Sequence, residues 1–294
     1  MTTYEMITTY LNEMSVSLAA GSEGFYQAVL YDFAKTCKEL NKAGVVKHIA
    51  ELKDRGNNNN TIRTKLTIIK GFTRWALANG YADADYALSV KMPGAEQHIS
   101  DRMNKEEVQT MLHGARPKHG HNAIRNKAIM ELAIVTASRV SAICQLKLSD
   151  IDFENKTVRL THTKRNKDIE LAITDSLCAN IRDYVENERP AELGADDYLF
   201  IGERKDDHGN YRPLSRQQVF NISKQYTKNA CGRALSPHKL RHTSATLQIE
   251  SGTLTIDEIS KNLGHSSIAT TQRYAQRLND KNRKTATAAV FEGL

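Results

Sequence analysis

Cysteine is scarce in this chain, and its four cysteines are widely scattered. Cys37, Cys144, Cys178 and Cys231 include no CxxC pair. Closely spaced cysteines are the usual sign of a zinc site or a small disulfide scaffold. We therefore expect free thiols, mostly buried in the core.

Long apolar runs are also missing. No segment approaches the roughly 20 apolar residues of a membrane-spanning helix, and the opening MTTYEMITTYLNEM has no basic stretch followed by an apolar one. We expect no secretory signal and a soluble, cytoplasmic protein. The sequence contains no GxxxxGK loop and no DxD cluster suited to magnesium, so we expect no cofactor and no metal.

Basic residues outnumber acidic ones. The formal net charge is +7 over 294 residues, and the sequence pI is about 9.1. A basic balance favours a polyanionic partner such as DNA, although many proteins that bind no nucleic acid are equally basic. One local cluster is Lys164, Arg165 and Lys167; it could equally be a solvated face.

Helical periodicity runs through residues 1–80. Val29, Phe33 and Cys37, for example, share one helical face. The asparagine tract at 57–60 predicts a loop, after which Thr61 opens the next helix. No strand pattern is present in this region.

The chain is long enough for two domains. Residues 91–103 are irregular and contain Pro93 and Gly94, which indicates a linker. We predict a helical domain over residues 1–90 and a larger domain over 104–294.

The larger domain changes its periodicity in the middle. Asn104 and Glu107 predict a capping box that opens a helix. After residue 150, alternating apolar residues at 158–160 and 169–173 predict a small antiparallel sheet whose hairpin tip is KRNK. Helices resume from residue 175, and the polar stretch 202–213 is interpreted as a loop. The fold class is therefore mainly α with a small antiparallel β-sheet.

The last helices have clear start and stop signals. Ser236 and Pro237 predict a helix start, which places His238 and Arg241 on one face of its first turns. Such a helix end favours an anion. A Thr255 capping box begins the next helix, and Gly264 is predicted to end it.

A tyrosine, two histidines and an arginine occur close together near the end of the chain. The segments are HKLRHT at 238–243 and LGHSSIATTQRY at 263–274. A tyrosine that attacks a phosphodiester needs fixed cations and proton carriers around its phenol, because charge develops on the phosphate oxygens. The pattern therefore predicts phosphoryl transfer through a covalent tyrosine, Tyr274.

Each part of this pattern also has an ordinary explanation. An HxxR match arises by chance about once in a chain with this many histidines, and a tyrosine on a late helix is often a core residue. His238 and His242 have the i, i+4 spacing of a zinc-binding helix. No glutamate lies between them, however, and Arg241 would place a cation beside the metal.

The order and spacing of six positions resemble the tyrosine recombinases, the phage integrase family. These positions are Arg139 in TASRVSAICQLKLSDID, Lys164 in HTKRNKDIELAI, His238 and Arg241 in HKLRHT, His265 in LGHSS, and Tyr274 in TTQRYAQ. The resemblance is close from about residue 104 to 274. It is looser in the N-terminal region, which would be the family's helical, SAM-like core-binding domain.

The resemblance implies a C-shaped clamp of two domains on double-stranded DNA, with a tetramer on DNA and a monomer when free. Tyr274 would form a 3′-phosphotyrosine link and release a 5′-hydroxyl, without metal or ATP. Arg139, Arg241 and His265 would hold the phosphate. Lys164 would be the general acid, and His238 the proton carrier for the tyrosine.

Two features depart from the family pattern. Ala142 stands where relatives usually carry an acid that supports the first arginine. The hairpin reads TKRNK without the glycines that often flank the lysine, which leaves Lys167 as a lesser candidate for the acid.

Three functions fit these residues. The leading one is a site-specific recombinase for integration and excision of a mobile element or for dimer resolution. The alternatives are a type IB topoisomerase, which has similar catalytic residues, and a non-catalytic DNA-binding regulator with the same fold.

Overall fold

The computed structural model describes residues 1–18, 21–96, 101–114, 122–161, 168–264, 267–268 and 271–272. The chain divides into two compact units, Met1–Ile99 and Ser100–Leu294. Both are mainly helical, and among the described residues strands occur only in the second unit. The predicted fold class is confirmed. Of the helices in these ranges, none combines the length and the apolar character that a bilayer crossing requires.

The first unit consists of helices packed on one apolar core. In chain order they are α1 (Thr3–Met14), α2 (Glu23–Thr36), α3 (Lys42–Asp54) and α4 (Asn59–Ala78). Ile7, Leu30, Phe33 and Phe72 are fully buried in this core. The helical prediction for residues 1–80 is confirmed, because the core buries the apolar positions that recur at helical spacing.

Helix α4 begins earlier than predicted. The Asn58 side chain accepts a hydrogen bond from the backbone N–H of Thr61 at 2.8 Å, so Asn58 is the N-cap. The prediction of a loop through residue 60 was wrong by two residues. The helix starts earlier because an asparagine inside the tract, Asn58, serves as its N-cap.

The segment predicted as a linker is anchored at both ends. On the first unit, Arg63 Nη1 donates to the carbonyl of Pro93 at 2.6 Å. On the second unit, the backbone N–H of Met103 donates to Thr243 Oγ1 at 3.1 Å. The division between the units falls between residues 99 and 100, inside the segment 91–103.

The second unit surrounds a larger core with helices and two small sheets. Its helices are α5 (Lys105–His113), α6 (Ala123–Val135), α7 (Val140–Gln145), α8 (Asp175–Asn187), α9 (Arg216–Cys231), α10 (Pro237–Ser251) and α11 (Ile256–Asn262). Its strands are β1 (Ile151–Asp152), β2 (Thr157–Leu160), β3 (Ile169–Ala172), β4 (Ile201–Lys205) and β5 (Tyr211–Pro213). The capping boxes of α5 and α11 form as predicted, with Asn104 paired to Glu107 and Thr255 to Glu258.

The predicted antiparallel sheet is present, with strand order β1-β2-β3. Val158 pairs with Leu171, and Leu160 pairs with Ile169. Val158 and Leu171 turn towards the core, which explains the alternation in the sequence. The KRNK tip lies outside the described residues.

The stretch 202–213 was predicted to be a loop, and this prediction was wrong. The structure has an antiparallel hairpin of β4 and β5 there. The carboxylate of Asp206 organises its turn by accepting from the backbone N–H groups of His208 at 2.9 Å and Asn210 at 2.8 Å. Most residues of β4 are exposed. The hairpin therefore lacks the apolar alternation on which a strand prediction depends.

Helix α6 is the central helix of the second unit. Residues 128–134 are buried on every side, and α6 packs against α8 and α10. The expectation of free thiols is confirmed, since all four cysteines are unpaired and three of them are buried. Burial raises the pKa of the Cys144 thiol to about 11, so this group stays protonated at neutral pH.

Candidate active site

Helix α10 positions two of the predicted site residues. Ser236 occupies the N-cap position in extended geometry and Pro237 is the first helical residue, as predicted, although the Ser236 side chain makes no capping hydrogen bond. His238 is exposed in the first turn. Arg241 lies one turn later and is only 8% exposed. The same face of the helix thus presents an accessible imidazole and a buried guanidinium.

Arg241 connects three segments of the second unit. Its Nη1 donates to the carbonyl of Ala137 at 2.6 Å, and its Nη2 donates to the carbonyl of Leu263. Ala137 lies before α7 with a left-handed φ of 50°, and Leu263 is the C-cap of α11. A buried cation needs hydrogen-bond acceptors to offset its desolvation. These backbone carbonyls satisfy that need and fix the plane of the guanidinium.

Arg139 is anchored on the carbonyl of the residue that follows Leu263. It is half-buried at the N-cap position of α7, and its Nη2 donates to the carbonyl of Gly264 at 3.0 Å. The two predicted phosphate-binding arginines therefore bond to adjacent carbonyls, those of Leu263 and Gly264. The structure thus brings together the start of α7, helix α10 and the end of α11.

Gly264 occupies a position that suits only a residue without a side chain. Its φ is +57°, in the left-handed region. A Cβ atom there would lie 3.0 Å from Cδ1 of Ile169 and 3.7 Å from Nη1 of Arg139. The predicted role of Gly264 as the stop of α11 is confirmed, and the same residue also borders the Arg139 guanidinium.

Ala142, which stands where relatives usually carry an acid, is half-buried on α7. Over the part of the chain that the structure describes, Arg139 forms no ion pair with a carboxylate, and its recorded hydrogen bond goes to Gly264. A carbonyl oxygen orients a guanidinium without neutralising its charge. The contact with Gly264 thus orients Arg139 without compensating its positive charge.

His238 and His242 form a close pair on α10. Their Nε2 atoms are 3.0 Å apart, and the rings meet edge to face at 88°. Partial burial lowers the pKa of His238, and the positive charges of Arg241 and Lys239 lower it further. His238 is therefore neutral at pH 7, the form that can accept a proton. Within the described ranges, the structure contains no group of three His, Cys, Asp or Glu side chains arranged to hold a metal ion.

Three predicted site residues, Lys164, His265 and Tyr274, lie outside the described residues. Sequence reasoning missed the carbonyls of Ala137, Leu263 and Gly264, because backbone acceptors leave no signal in residue identity. It considered His242 only as a zinc ligand. The i, i+4 spacing of His238 and His242 on one helix could also have predicted their contact.

Comparison with known protein families identifies the class of this chain. The phage integrase family matches residues 101–281. The chain is 30% identical to the tyrosine recombinase XerD of Staphylococcus epidermidis over 242 residues, which are 81% of this chain and 79% of that protein. It is 27% identical to the tyrosine recombinase XerC of Corynebacterium glutamicum over 274 residues, 92% of this chain and 85% of that protein.

Solved structures of the same architecture include two integrases bound to DNA. The Tn1549 transposon integrase with a circular intermediate DNA has a TM-score of 0.76 at 14% identity, covering 93% of this chain and 95% of that one. A lambda integrase dimer on a COC′ core site has a TM-score of 0.72 at 16% identity, covering 93% of this chain and 77% of that one. At these identities the likeness establishes the fold alone.

The match to the phage integrase family covers most of the second unit, where the two anchored arginines lie. The chain belongs to this family of tyrosine recombinases, whose members are DNA strand transferases of site-specific recombination.

Proposed function

We propose that this chain cleaves and rejoins DNA at specific sites through a 3′-phosphotyrosine link on Tyr274. The observation that carries the proposal is the anchoring of Arg139 and Arg241 on the adjacent carbonyls of Gly264 and Leu263. Two guanidinium groups anchored on adjacent carbonyls can bind the non-bridging oxygens of one phosphate. Pre-set donors of this kind stabilise the charge of the transition state.

In this mechanism the phenol oxygen of Tyr274 attacks the phosphorus, and the bond to the 5′-oxygen breaks. The phenol proton passes to His238, whose lowered pKa keeps it neutral and able to accept. Lys164 supplies a proton to the departing 5′-oxygen. His265, next to the anchoring Gly264 in sequence, donates a hydrogen bond to the phosphate.

The reverse attack by a 5′-hydroxyl of another strand restores the DNA backbone. The phosphodiester is exchanged for a phosphotyrosine and back again, so the bond energy is conserved. In the proposal neither a metal nor ATP takes part, because the arginines supply the positive charge.

The proposed partner is double-stranded DNA, bound by both domains as a clamp. The net charge of +7 supports this partner. We propose a monomer in free solution and a homotetramer on paired sites. Integration or excision of a mobile element and dimer resolution are the biological roles that such an activity serves.

A nicked suicide duplex tests the proposal. Cleavage beside the nick releases a short fragment and traps the covalent complex, which a denaturing gel detects as a shifted protein band. We expect the adduct with the wild type in the presence of a chelator and without ATP, and no adduct with Tyr274→Phe. A folded wild type that forms no adduct would make the chain a non-catalytic DNA-binding regulator.

A second assay separates recombination from relaxation. Two labelled duplexes with the same site are incubated with the protein, and exchange of their flanking arms is measured. Exchange supports the recombinase. Relaxation of supercoiled DNA without any exchange would instead support type IB topoisomerase activity.

A further inference from the structure

We propose that His242 is a positioning residue that occupies Nε2 of His238 and leaves Nδ1 of His238 as its proton-exchanging nitrogen. The inference rests on the proposed function, in which His238 accepts the phenol proton. Its basis is the 3.0 Å separation of the two Nε2 atoms. The edge-to-face arrangement, with ring centroids 4.5 Å apart, directs one ring edge at the other.

The chemistry of a neutral imidazole allows only two versions of this contact. Each ring carries one N–H and one lone pair, so one Nε2 must donate and the other must accept. If His242 donates, His238 carries its proton on Nδ1 and has no lone pair left for the substrate. If His238 donates, its Nδ1 carries the lone pair and can accept a proton.

Only the second version fits a proton-accepting His238. His238 then has its proton on Nε2, and His242 has its proton on Nδ1. When the phenol proton arrives at Nδ1, His238 becomes an imidazolium and still donates from Nε2 to His242. The hydrogen bond survives the transfer and becomes charge-assisted, which strengthens it.

An imidazole partner, which carries no negative charge, has a consequence that a carboxylate would not have. A carboxylate would raise the pKa of His238, whereas the pKa is in fact lowered by partial burial and by Arg241 and Lys239. His242 can therefore fix the tautomer of His238 without raising its pKa, so His238 is not already protonated when the phenol proton arrives. The same hydrogen bond sets the orientation of the ring, as second partners of functional histidines commonly do.

Two substitutions at the same position separate this role from simple packing. In His242→Gln the side-chain carbonyl can accept from Nε2 of His238. In His242→Leu a side chain of comparable length fills the space but accepts no hydrogen bond. Melting temperatures of both variants establish that they fold, and both leave Arg139, Arg241 and His238 unchanged.

The tautomer is read directly from nitrogen NMR of the labelled, full-length protein above pH 7. We expect His238 with a protonated Nε2 in the wild type and in His242→Gln, and a mixture of tautomers in His242→Leu. A wild-type His238 protonated on Nδ1 would overturn the inference. This measurement needs no activity, so it still decides the tautomer if the wild type fails to cleave DNA.

Cleavage of the suicide duplex supplies the functional test. We expect His242→Leu to slow adduct formation about tenfold or more, the usual loss when an orienting partner is removed, and His242→Gln to stay close to the wild type. Equal rates in all three proteins would overturn the positioning role. Absence of adduct in the wild type would instead reject the proposed function.

Discussion

The guanidinium of Arg139 donates a hydrogen bond to the backbone carbonyl of Gly264, with 3.0 Å between Nη2 and the oxygen. Arg241 makes the equivalent contact with Leu263, one residue earlier. The end of α11 thus orients both arginines. The geometry of this helix end therefore bears on two of the six proposed site residues.

Replacing Gly264 by Ala should impair the site. The left-handed φ of +57° should cost about 1 kcal/mol in stability for a residue with a Cβ atom. The added methyl should also displace Ile169 and come into van der Waals contact with Arg139. We expect slower adduct formation on the suicide duplex together with a lower melting temperature.

Gly252→Ala is the matched control for this substitution. Gly252 ends α10 with a φ of +66°, and a Cβ atom there meets no other heavy atom within 4 Å. The two variants share the cost of a left-handed φ, and Gly264→Ala adds the displacement of Ile169, but Gly252→Ala should cleave like the wild type. If both variants cleave at the same rate, contact with Arg139 is not what makes Gly264 important.

The two arginines should differ in what their removal does to stability. Arg241→Ala leaves the carbonyls of Ala137 and Leu263 without this buried donor, which should cost about 1–3 kcal/mol in the free energy of unfolding. Arg139→Ala removes one recorded hydrogen bond at a half-buried position and should cost less. Denaturant unfolding followed by circular dichroism compares the variants.

Both arginine variants should nevertheless lose cleavage about a hundredfold or more, as expected for groups that stabilise transition-state charge. DNA binding should weaken far less. A variant that retained wild-type cleavage would show that its arginine is only structural.

The stability of the first unit should depend on pH through His48. This side chain is fully buried and packs edge to face on Phe33. Burial is the main cause that lowers the pKa of His48 below its ordinary value of 6.5. The charges of Arg55 and Lys65 also lower this pKa, while those of Asp32 and Glu51 oppose the shift. Protonation therefore favours the unfolded chain. The free energy of unfolding should be constant above about pH 6.5 and should fall as the pH drops below it.

The fluorescence of Trp75 can follow this transition, because it is the single tryptophan in the chain and lies on α4 of the first unit. His48→Leu is the control, since it removes the titrating group. Its urea midpoint should change less between pH 7.5 and pH 5.5 than that of the wild type. An identical pH dependence in both proteins would show that His48 is not responsible.

Affinity for DNA should fall steeply as salt is added. A protein that neutralises several phosphates releases counterions, so the logarithm of the binding constant falls linearly with the logarithm of salt concentration. The slope of this line can be measured by fluorescence anisotropy of a labelled, site-sized duplex. The salt concentration is varied between about 50 and 200 mM, the range over which losses of affinity are large. An affinity independent of salt would contradict the proposed clamp.

Local signals in the sequence were sufficient for most of the secondary structure. The capping boxes of Asn104 with Glu107 and Thr255 with Glu258 involve residues three apart, and both form. The stop of α11 at Gly264 likewise follows from one residue's backbone preference. The exceptions have local causes too. Asn58 caps α4 from within its tract, and the exposed β4–β5 hairpin has no apolar period.

The sequence by itself determined the family, because six residue types in a fixed order need no coordinates to be compared. Only the tertiary structure decided how the site is held together. Arg139 and Gly264 are separated by 125 positions, and Arg241 and Ala137 by 104. The acceptors in these contacts are backbone carbonyls, which every residue has. No residue pattern marks them, and their selection depends on how the packing of α7, α10 and α11 brings distant chain segments within hydrogen-bonding distance.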